Sequence, residues 1–342
     1  MIELLLFLIF LIISIYIYYY RSGSKMQVKD LYAEGLDLMI AGKRKAAYQN
    51  FKYIIDNNSD NIRAYLRLGQ VLREGGNAKQ AVIIHRSLLQ RKSLQNFDRI
   101  ELHKNLVLDY YILGDLFNAE NHLISLLKLD KENEWALSQL VIVYREQSKW
   151  SNATEILERY QKINGRVDSH KLALYKIQEG RMLINNKKFK EARKKFEESL
   201  EVNKNIAVAY YFIGNSYSAE SEEAYQESLK MELDLKVQDE NNLDQAKLLL
   251  SKAIPMWIRY AELKPKQAWM VIHLLKDSLF ALDRFPEIED ILKQILKIEK
   301  DNIEVIATLS EIYSHRGENV EAMELIDSAI DQDPTSIIVR LI

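Results

Sequence analysis

A repeat of about 34 residues constrains this chain more than any other feature, because that length is the period of the tetratricopeptide repeat. The clearest copy runs from Ile62 to Leu89. Apolar or small residues recur there on one face of a helix, and a second such stripe follows the break at Gly75-Gly76. Neither short helix can bury its stripe alone, so the unit requires neighbours of the same kind.

Further copies of the repeat supply these neighbours. They begin near Val28, Ile62, Ile100, Glu134, Ala173, Ala207, Trp269 and Ile303. Four copies have glycine in the first helix: Gly35, Gly69, Gly180 and Gly214. An early alanine marks the second helix at Ala47, Ala81, Ala119, Ala153, Ala192, Ala246 and Ala322. A larger residue follows at Phe51, His85, Leu123, Leu157, Phe196, Leu250, Leu292 and Ile326. Small residues let paired helices approach closely, so we predict an all-α fold, a right-handed tetratricopeptide superhelix of about eight repeats.

Two parts of the chain depart from this pattern. The copy at Trp269 has Lys276 and Ile288 where small residues are expected, so it is either a degenerate repeat or an ordinary helical hairpin. Residues 218–242 form an acidic insertion, which we interpret as lengthened helices projecting from the repeats or as a mobile loop. The predicted division is therefore repeats at 28–217, the insertion at 218–242, the remaining repeats at 243–336 and a tail at 337–342.

The N-terminus has the properties of a membrane anchor. Residues 2–20 are almost entirely apolar and long enough to span a bilayer as one helix. The chain lacks the basic start and the small-residue cleavage site of a signal peptide. Arg21, Lys25 and Lys29 follow the apolar run, and positive residues mark the cytoplasmic side. We predict a transmembrane anchor at 1–21, a linker at 22–27 and repeats that face the cytoplasm.

Composition argues against several classes of function. The formal net charge of the 342 residues is -2, so no overall basic field indicates nucleic acid as a partner. The absence of cysteine excludes thiolate zinc sites and cysteine nucleophiles. No phosphate-binding glycine loop, HExxH or GxSxG motif is present. No histidine is predicted to pair with another histidine or a carboxylate at metal-ligand spacing, and His85 is expected in the core. We therefore predict no catalytic residue, metal site or cofactor, and no enzymatic activity.

The remaining candidate for function is a surface. In each repeat, the face of the first helix beside the apolar stripe should line a concave groove. Arginine and asparagine there would suit an acidic or extended peptide, because guanidinium groups bind carboxylates through two hydrogen bonds. The alternative is that these side chains only make the helix soluble. The predicted groove residues are Arg63, Arg67, Gln70, Arg73, Lys104, Asn105, Gln139 and Arg145.

The chain also resembles a known family. The segment from Leu68 to Leu94 is similar to the second repeat of the bacterial lipopolysaccharide assembly protein B family, including the pair Ile84-His85 and the turn Arg91 to Leu94. Extra residues between the second and third repeats, and between the fourth and fifth, are similar too. The likeness is good over residues 1–215 and loose over 244–340.

The resemblance implies a single-pass protein of the bacterial inner membrane that acts as an adaptor. Members of the family present the deacetylase that commits material to lipid A to a membrane-anchored protease, and so regulate lipopolysaccharide synthesis. The family ends in a rubredoxin-like zinc domain with two CxxC pairs, which this cysteine-free sequence lacks. The alternative interpretation is a membrane-tethered tetratricopeptide scaffold for another complex of the cell envelope.

Overall fold

The computed structural model describes residues 29–92, 94–235 and 240–332, together with Leu11, Ile13 and Ser14. Across these residues the chain forms helices joined by short turns and no β-strand, which confirms the predicted all-α class. Apart from those three residues, the predicted span at 2–20 lies outside the described part, as do the linker and the tail. Among the described helices, none combines the length and the apolar character that crossing a bilayer requires.

The helices pair into hairpins, and the hairpins form two compact units that divide after Arg166. The first unit contains α1 (29–40), α2 (Arg44–Asn57), α3 (Ile62–Glu74), α4 (Ala78–Leu89), α5 (Asn96–Ile112), α6 (Leu116–Leu129), α7 (Glu134–Glu146) and α8 (Trp150–Asn164). The second contains α9 (Ser169–Asn185), α10 (Phe189–Val202), α11 (Ala207–Leu235), α12 (Glu240–Leu263), a 3-10 turn (Pro265–Gln267), α13 (Trp269–Ala281), α14 (Glu287–Ile298), α15 (Ile303–His315) and α16 (Asn319–Gln332).

The turn inside a hairpin contains one residue with positive φ wherever its residues are described. Glycine takes this position in four hairpins, for example Gly76 at φ 85°. Ser148, Lys187 and Asp283 take it in three others, at φ 57°, 59° and 56°. Glycine adopts this conformation without a steric cost, whereas the other three residues carry one. The turn geometry of the repeat is therefore retained even where glycine is missing.

The glycines of the first helices lie against large side chains of the second helices. A Cβ atom on Gly69 would overlap the imidazole of His85, and one on Gly35 would lie 2.8 Å from the ring of Phe51. The rings of Phe51 and His85 are fully buried at these contacts. The predicted close approach of paired helices is therefore present, and the aromatic ring fills the space that a glycine leaves.

The sixth repeat has a different register from the one predicted. Gly214 contacts Trp257, and Ala253 precedes this tryptophan by one helical turn, whereas the sequence pattern placed Ala246 and Leu250 in these roles. Phe51 lies 16 positions after Gly35, whereas Trp257 lies 43 positions after Gly214, so this hairpin is longer by about 27 residues. Ala246 was misassigned because it occupies the same face two helical turns earlier.

Most of the predicted insertion lengthens this one hairpin. Helix α11 continues to Leu235 and α12 begins at Glu240, which supports the interpretation of lengthened helices over that of a loop. The two helices pack through small residues, with the Ser221 hydroxyl donating to the Ala246 carbonyl over 2.7 Å. Near the base, Glu220 forms an ion pair with Arg193 of α10 at 2.6 Å, and the Arg193 side chain is only 9% exposed. The base of the insertion is thus part of the packed structure.

The weakest copy of the repeat also forms a helical hairpin. Ile288 and Leu292 of α14 are fully buried, and Asp283 supplies the positive φ of the turn. Lys276, which stands where a small residue was expected, forms an ion pair with Glu311 of α15 at 2.9 Å. This hairpin therefore keeps the geometry of a repeat without its small residues.

Candidate interaction surface

The first unit contains a cleft between the first helices of its first three repeats. Its volume is about 260 Å³. It is lined by Tyr32, Arg63, Leu66, Arg67, Phe97, Asp98, Glu101 and Asn105. Asn61 caps α3 by accepting the Ala64 amide hydrogen through its side chain, and this fixes where the arginine-bearing face of α3 begins. The cleft thus has one wall with arginines and one with carboxylates.

Charges in this cleft are largely unpaired. Among the described residues, neither Arg63 nor Asp98 forms an ion pair or a side-chain hydrogen bond. Arg67 donates to Gln70 over 2.6 Å and pairs with no carboxylate in the described part of the chain. Phe97 leaves 64% of its surface exposed beside them. Unpaired charges of both signs next to an exposed aromatic ring are available to a partner.

Three of the predicted groove residues line this cleft, namely Arg63, Arg67 and Asn105, and Gln70 lies next to it through its bond to Arg67. Lys104 instead pairs with Glu101 at 2.9 Å and lies 5.9 Å from the centre of the Trp135 ring. Gln139 is half-buried on α7, and Arg145 is exposed on the same helix; neither lines this cleft.

Arg73 belongs to a buried network instead of an open face. Its guanidinium donates to Asp109 over 2.8 Å and to the Asn105 side chain over 3.2 Å, and only 8% of Arg73 is exposed. The fully buried Asp109 also lies 2.5 Å from Nδ1 of His85, whose Nε2 donates to the Leu66 carbonyl over 3.1 Å. The expectation that Arg73 is exposed is thus corrected, because Asp109 on the next repeat draws it inward.

Two pairings of histidines differ from the sequence expectation. His85 pairs with a carboxylate, that of Asp109, although it is buried and hydrogen-bonded as expected. His103 of α5 and His122 of α6 lie with their Nδ1 atoms 3.0 Å apart. Burial lowers the pKa of His122 to about 4, with further contributions from His103 and Arg86. Burial, then Arg99, lowers the pKa of His103. Among the described residues, no group of three or more histidines and carboxylates could hold a metal ion.

The sequence prediction missed the aromatic and acidic parts of the cleft. Phe97, Asp98 and Glu101 lie on α5 one to two turns before Asn105. Residues three, four and seven positions apart share one face of a helix. Extending the face from Asn105 toward the start of α5 would have included them. Tyr32 can be assigned to the cleft only from the structure, because it comes from the first repeat.

Comparison with known proteins supports the presence of tetratricopeptide repeats. A family model described as "Tetratricopeptide repeat" matches residues 279–341. Lipopolysaccharide assembly protein B of Escherichia coli K12 is 26% identical over 167 residues, which is 46% of this chain and 43% of that protein. The protein of the same name from Haemophilus influenzae is 28% identical over 189 residues, covering 51% of this chain and 48% of that one.

The chain contains tetratricopeptide repeats and is similar to lipopolysaccharide assembly protein B. The matched region spans about half the length of the two relatives. Among solved structures, the crystal structure of MamA protein matches with a TM-score of 0.38 and 16% identity, covering 52% of this chain and 92% of that chain. The assignment to tetratricopeptide proteins rests on the hairpins, the family model and the two relatives.

Proposed function

We propose that this protein is a membrane-anchored tetratricopeptide adaptor that takes part in lipopolysaccharide assembly. It binds a protein partner through the cleft of its first unit and presents a lipid A biosynthetic enzyme to a membrane protease. In this proposal residues 1–21 are a single-pass anchor in the inner membrane, the repeats stack as a right-handed superhelix in the cytoplasm, and the chain itself is not an enzyme. The similarity to lipopolysaccharide assembly protein B supports the pathway.

The observation that carries the binding role is the unpaired charge in the cleft. Arg63 and Arg67 on α3 line the cleft and could bind a carboxylate, and Asp98 on α5 lines it and could bind a cation. Tyr32 and Phe97 add apolar surface for a side chain of the partner. Peptide recognition of this kind takes part of its specificity from charge complementarity and part from aromatic contacts. An extended segment with both acidic and basic side chains around one apolar residue fits this arrangement.

Charge reversal tests the binding role. Arg67→Glu should weaken capture of the partner strongly, because losing a desolvated charge-assisted contact costs about 2–5 kcal/mol and the new charge repels. Lys79→Glu is the matched control, since Lys79 is exposed on α4 and outside the cleft. Lys79→Glu should keep the parent's melting temperature, because exposed substitutions usually change stability by less than about 0.5 kcal/mol, and the half-buried Arg67→Glu should lower it only slightly, since Arg67 gives up one hydrogen bond to Gln70. Equal capture of every partner by the parent and Arg67→Glu would contradict the proposal.

The pathway is tested in cells. Depleting the protein should raise the amount of the lipid A biosynthetic enzyme that it presents, and restoring the parent but not Arg67→Glu should lower it again. A reporter that fluoresces only in the cytoplasm, fused after Ile342, should label the membrane. Unchanged enzyme levels would favour a scaffold for another envelope complex, and a silent reporter would reject the proposed topology.

A further inference from the structure

A second cleft lies on the other side of helix α5. Its volume is about 220 Å³. It is lined by Leu89, Leu94, Arg99, Leu102, His103, Ser125, Lys128 and Leu129. On α5, Asp98 and Glu101 face the first cleft, whereas Arg99 and His103 face this one. Of the α5 side chains that line the two clefts, the acidic ones therefore face the first cleft, and Arg99 and His103 face the second.

The charge of this second cleft is positive and uncompensated. None of the described residues that line it is a carboxylate. Among the described residues, Lys128 and the nearby Arg86 form no ion pair. Arg99 uses Nε to donate to the Leu94 carbonyl over 3.2 Å, and its terminal nitrogens form no ion pair or hydrogen bond with the described residues. Two cationic side chains therefore meet at one small concave site with their charges unsatisfied.

The histidine pair of His103 and His122, next to the cleft, lies in the same positive electrostatic environment. The two Nδ1 atoms lie 3.0 Å apart, so one of them must accept a hydrogen bond from the other. The ring that accepts carries no hydrogen on Nδ1 and is therefore neutral. His122 stacks on Tyr110 with ring centres 5.5 Å apart, away from solvent. Arg86 on α4 acts on His122 and Arg99 on α5 acts on His103, while Lys128 on α6 lines the cleft together with His103; all three are cationic. An anion in the cleft would offset this repulsion, and His103 could then donate toward it.

We propose that the second cleft binds a phosphate group, held by Arg99, Lys128 and His103. The Ser125 hydroxyl, which donates to the Asn121 carbonyl over 2.8 Å, would add a further donor by turning toward the phosphate. Guanidinium and ammonium groups are the usual protein ligands of phosphate. Leu89, Leu94 and Leu129 form apolar walls beside the polar groups, so the phosphate belongs to a molecule with an apolar portion. The same chemistry occurs in a soluble phosphomonoester and in the headgroup of a phospholipid. This site shares no lining residue with the partner cleft, and it does not rest on the function proposed above.

Histidine NMR on the full chain tests the site. Titration with inorganic phosphate, and separately with phenyl phosphate, should move the His103 and His122 ring signals saturably and raise both pKa values. Sodium chloride at the same ionic strength should not. In Arg99→Ala/Lys128→Ala the affinity should fall at least about tenfold, since two charge-assisted contacts are lost. Lys45→Ala/Lys79→Ala removes the same charge from exposed positions outside the cleft and should bind as the parent does.

A vesicle assay separates the two sources of phosphate. Binding of the parent to phosphatidylcholine vesicles is compared with binding to vesicles that also contain phosphatidic acid. A gain with phosphatidic acid that the double variant lacks and the control keeps indicates a lipid headgroup. Saturable phenyl phosphate binding without that gain indicates a soluble phosphomonoester. If neither probe distinguishes the parent from Arg99→Ala/Lys128→Ala, or if chloride reproduces the NMR shifts, the site does not exist. Circular dichroism of each variant confirms that it is folded.

Discussion

At the scale of single residues, the buried network around Asp109 is the largest departure from an apolar core. Arg73, His85 and Asp109 come from three successive helices and are all less than a tenth exposed. Moving such groups out of water costs free energy, which their mutual hydrogen bonds and opposite charges offset here. In two other repeats the position of His85 is taken by Phe51 and Phe196, whose rings pack against the glycine but cannot form the hydrogen bonds of an imidazole. The network therefore distinguishes the second repeat from its neighbours, while the packing around its glycine is the same.

Removing one member of this network should be far worse than removing all three. Asp109→Leu leaves the Arg73 charge buried without a partner and should lower the free energy of unfolding by about 3–5 kcal/mol. The triple variant Arg73→Met/His85→Phe/Asp109→Leu should recover most of this loss, because apolar replacement of a buried ionic group is often neutral or stabilising. Urea unfolding of the three proteins measures both changes. A triple variant that is less stable than Asp109→Leu would show that the network stabilises the fold.

His122 should make the stability of the first unit depend on pH. Its pKa is lowered to about 4 in the folded protein, from an ordinary value of 6.5, chiefly by burial. Between these values the unfolded chain binds the proton more readily, so stability is present above pH about 6.5 and is lost as pH falls toward 4. Melting temperatures in phosphate-free buffer should therefore fall less steeply over this range in His122→Gln than in the parent. Parallel curves would contradict the assignment.

At the scale of elements, the extended hairpin of α11 and α12 has a packed base and a removable end. Replacing residues 225–242 with a short glycine-containing turn should leave stability nearly unchanged, because the contacts of Glu220, Ser221 and Ala246 remain. Replacing 218–242 also removes Glu220 and leaves Arg193 without its carboxylate, which should cost about 3–5 kcal/mol. Thermal melts of both deletions, with Glu220→Gln in the full chain as the control, measure the difference. Equal melting temperatures would show that Glu220 contributes nothing.

The sequence predicts elements better than it predicts their polar contacts. Glycine and alanine at a period of about 34 residues mark the hairpins, because close helix contacts leave few alternatives. Arg73 was assigned to the surface because the carboxylate that holds it, Asp109, is 36 residues away and cannot be inferred from spacing alone. The contact of His103 with His122 cannot be inferred from spacing either, because the two histidines are 19 residues apart on different helices. The register of the sixth repeat was misread because Ala246 and Ala253 are both plausible on one helical face.

At the scale of the whole molecule, a destabilising substitution in one repeat should lower the stability of that repeat and its neighbours only. Gly69→Leu forces a side chain into the space of the His85 ring and should destabilise by about 1–3 kcal/mol or more. Because each repeat contacts mainly the adjacent ones, hydrogen exchange should accelerate in α2 to α5 and remain as in the parent in α13 to α16. The exposed substitution Lys79→Leu serves as the control. Uniform acceleration along the chain would show that the protein unfolds as one cooperative block.

The two-sided arrangement of α5 links the two proposed ligands. Because this helix forms a wall of both clefts, a partner that shifts it on one side changes the spacing of Arg99 and His103 on the other. Any resulting change in affinity is reciprocal, since the coupling free energy between two sites is the same from either direction. A phosphate-bearing molecule could then act as an effector of partner binding without touching the partner, and α5 is the helix through which such cooperativity would pass.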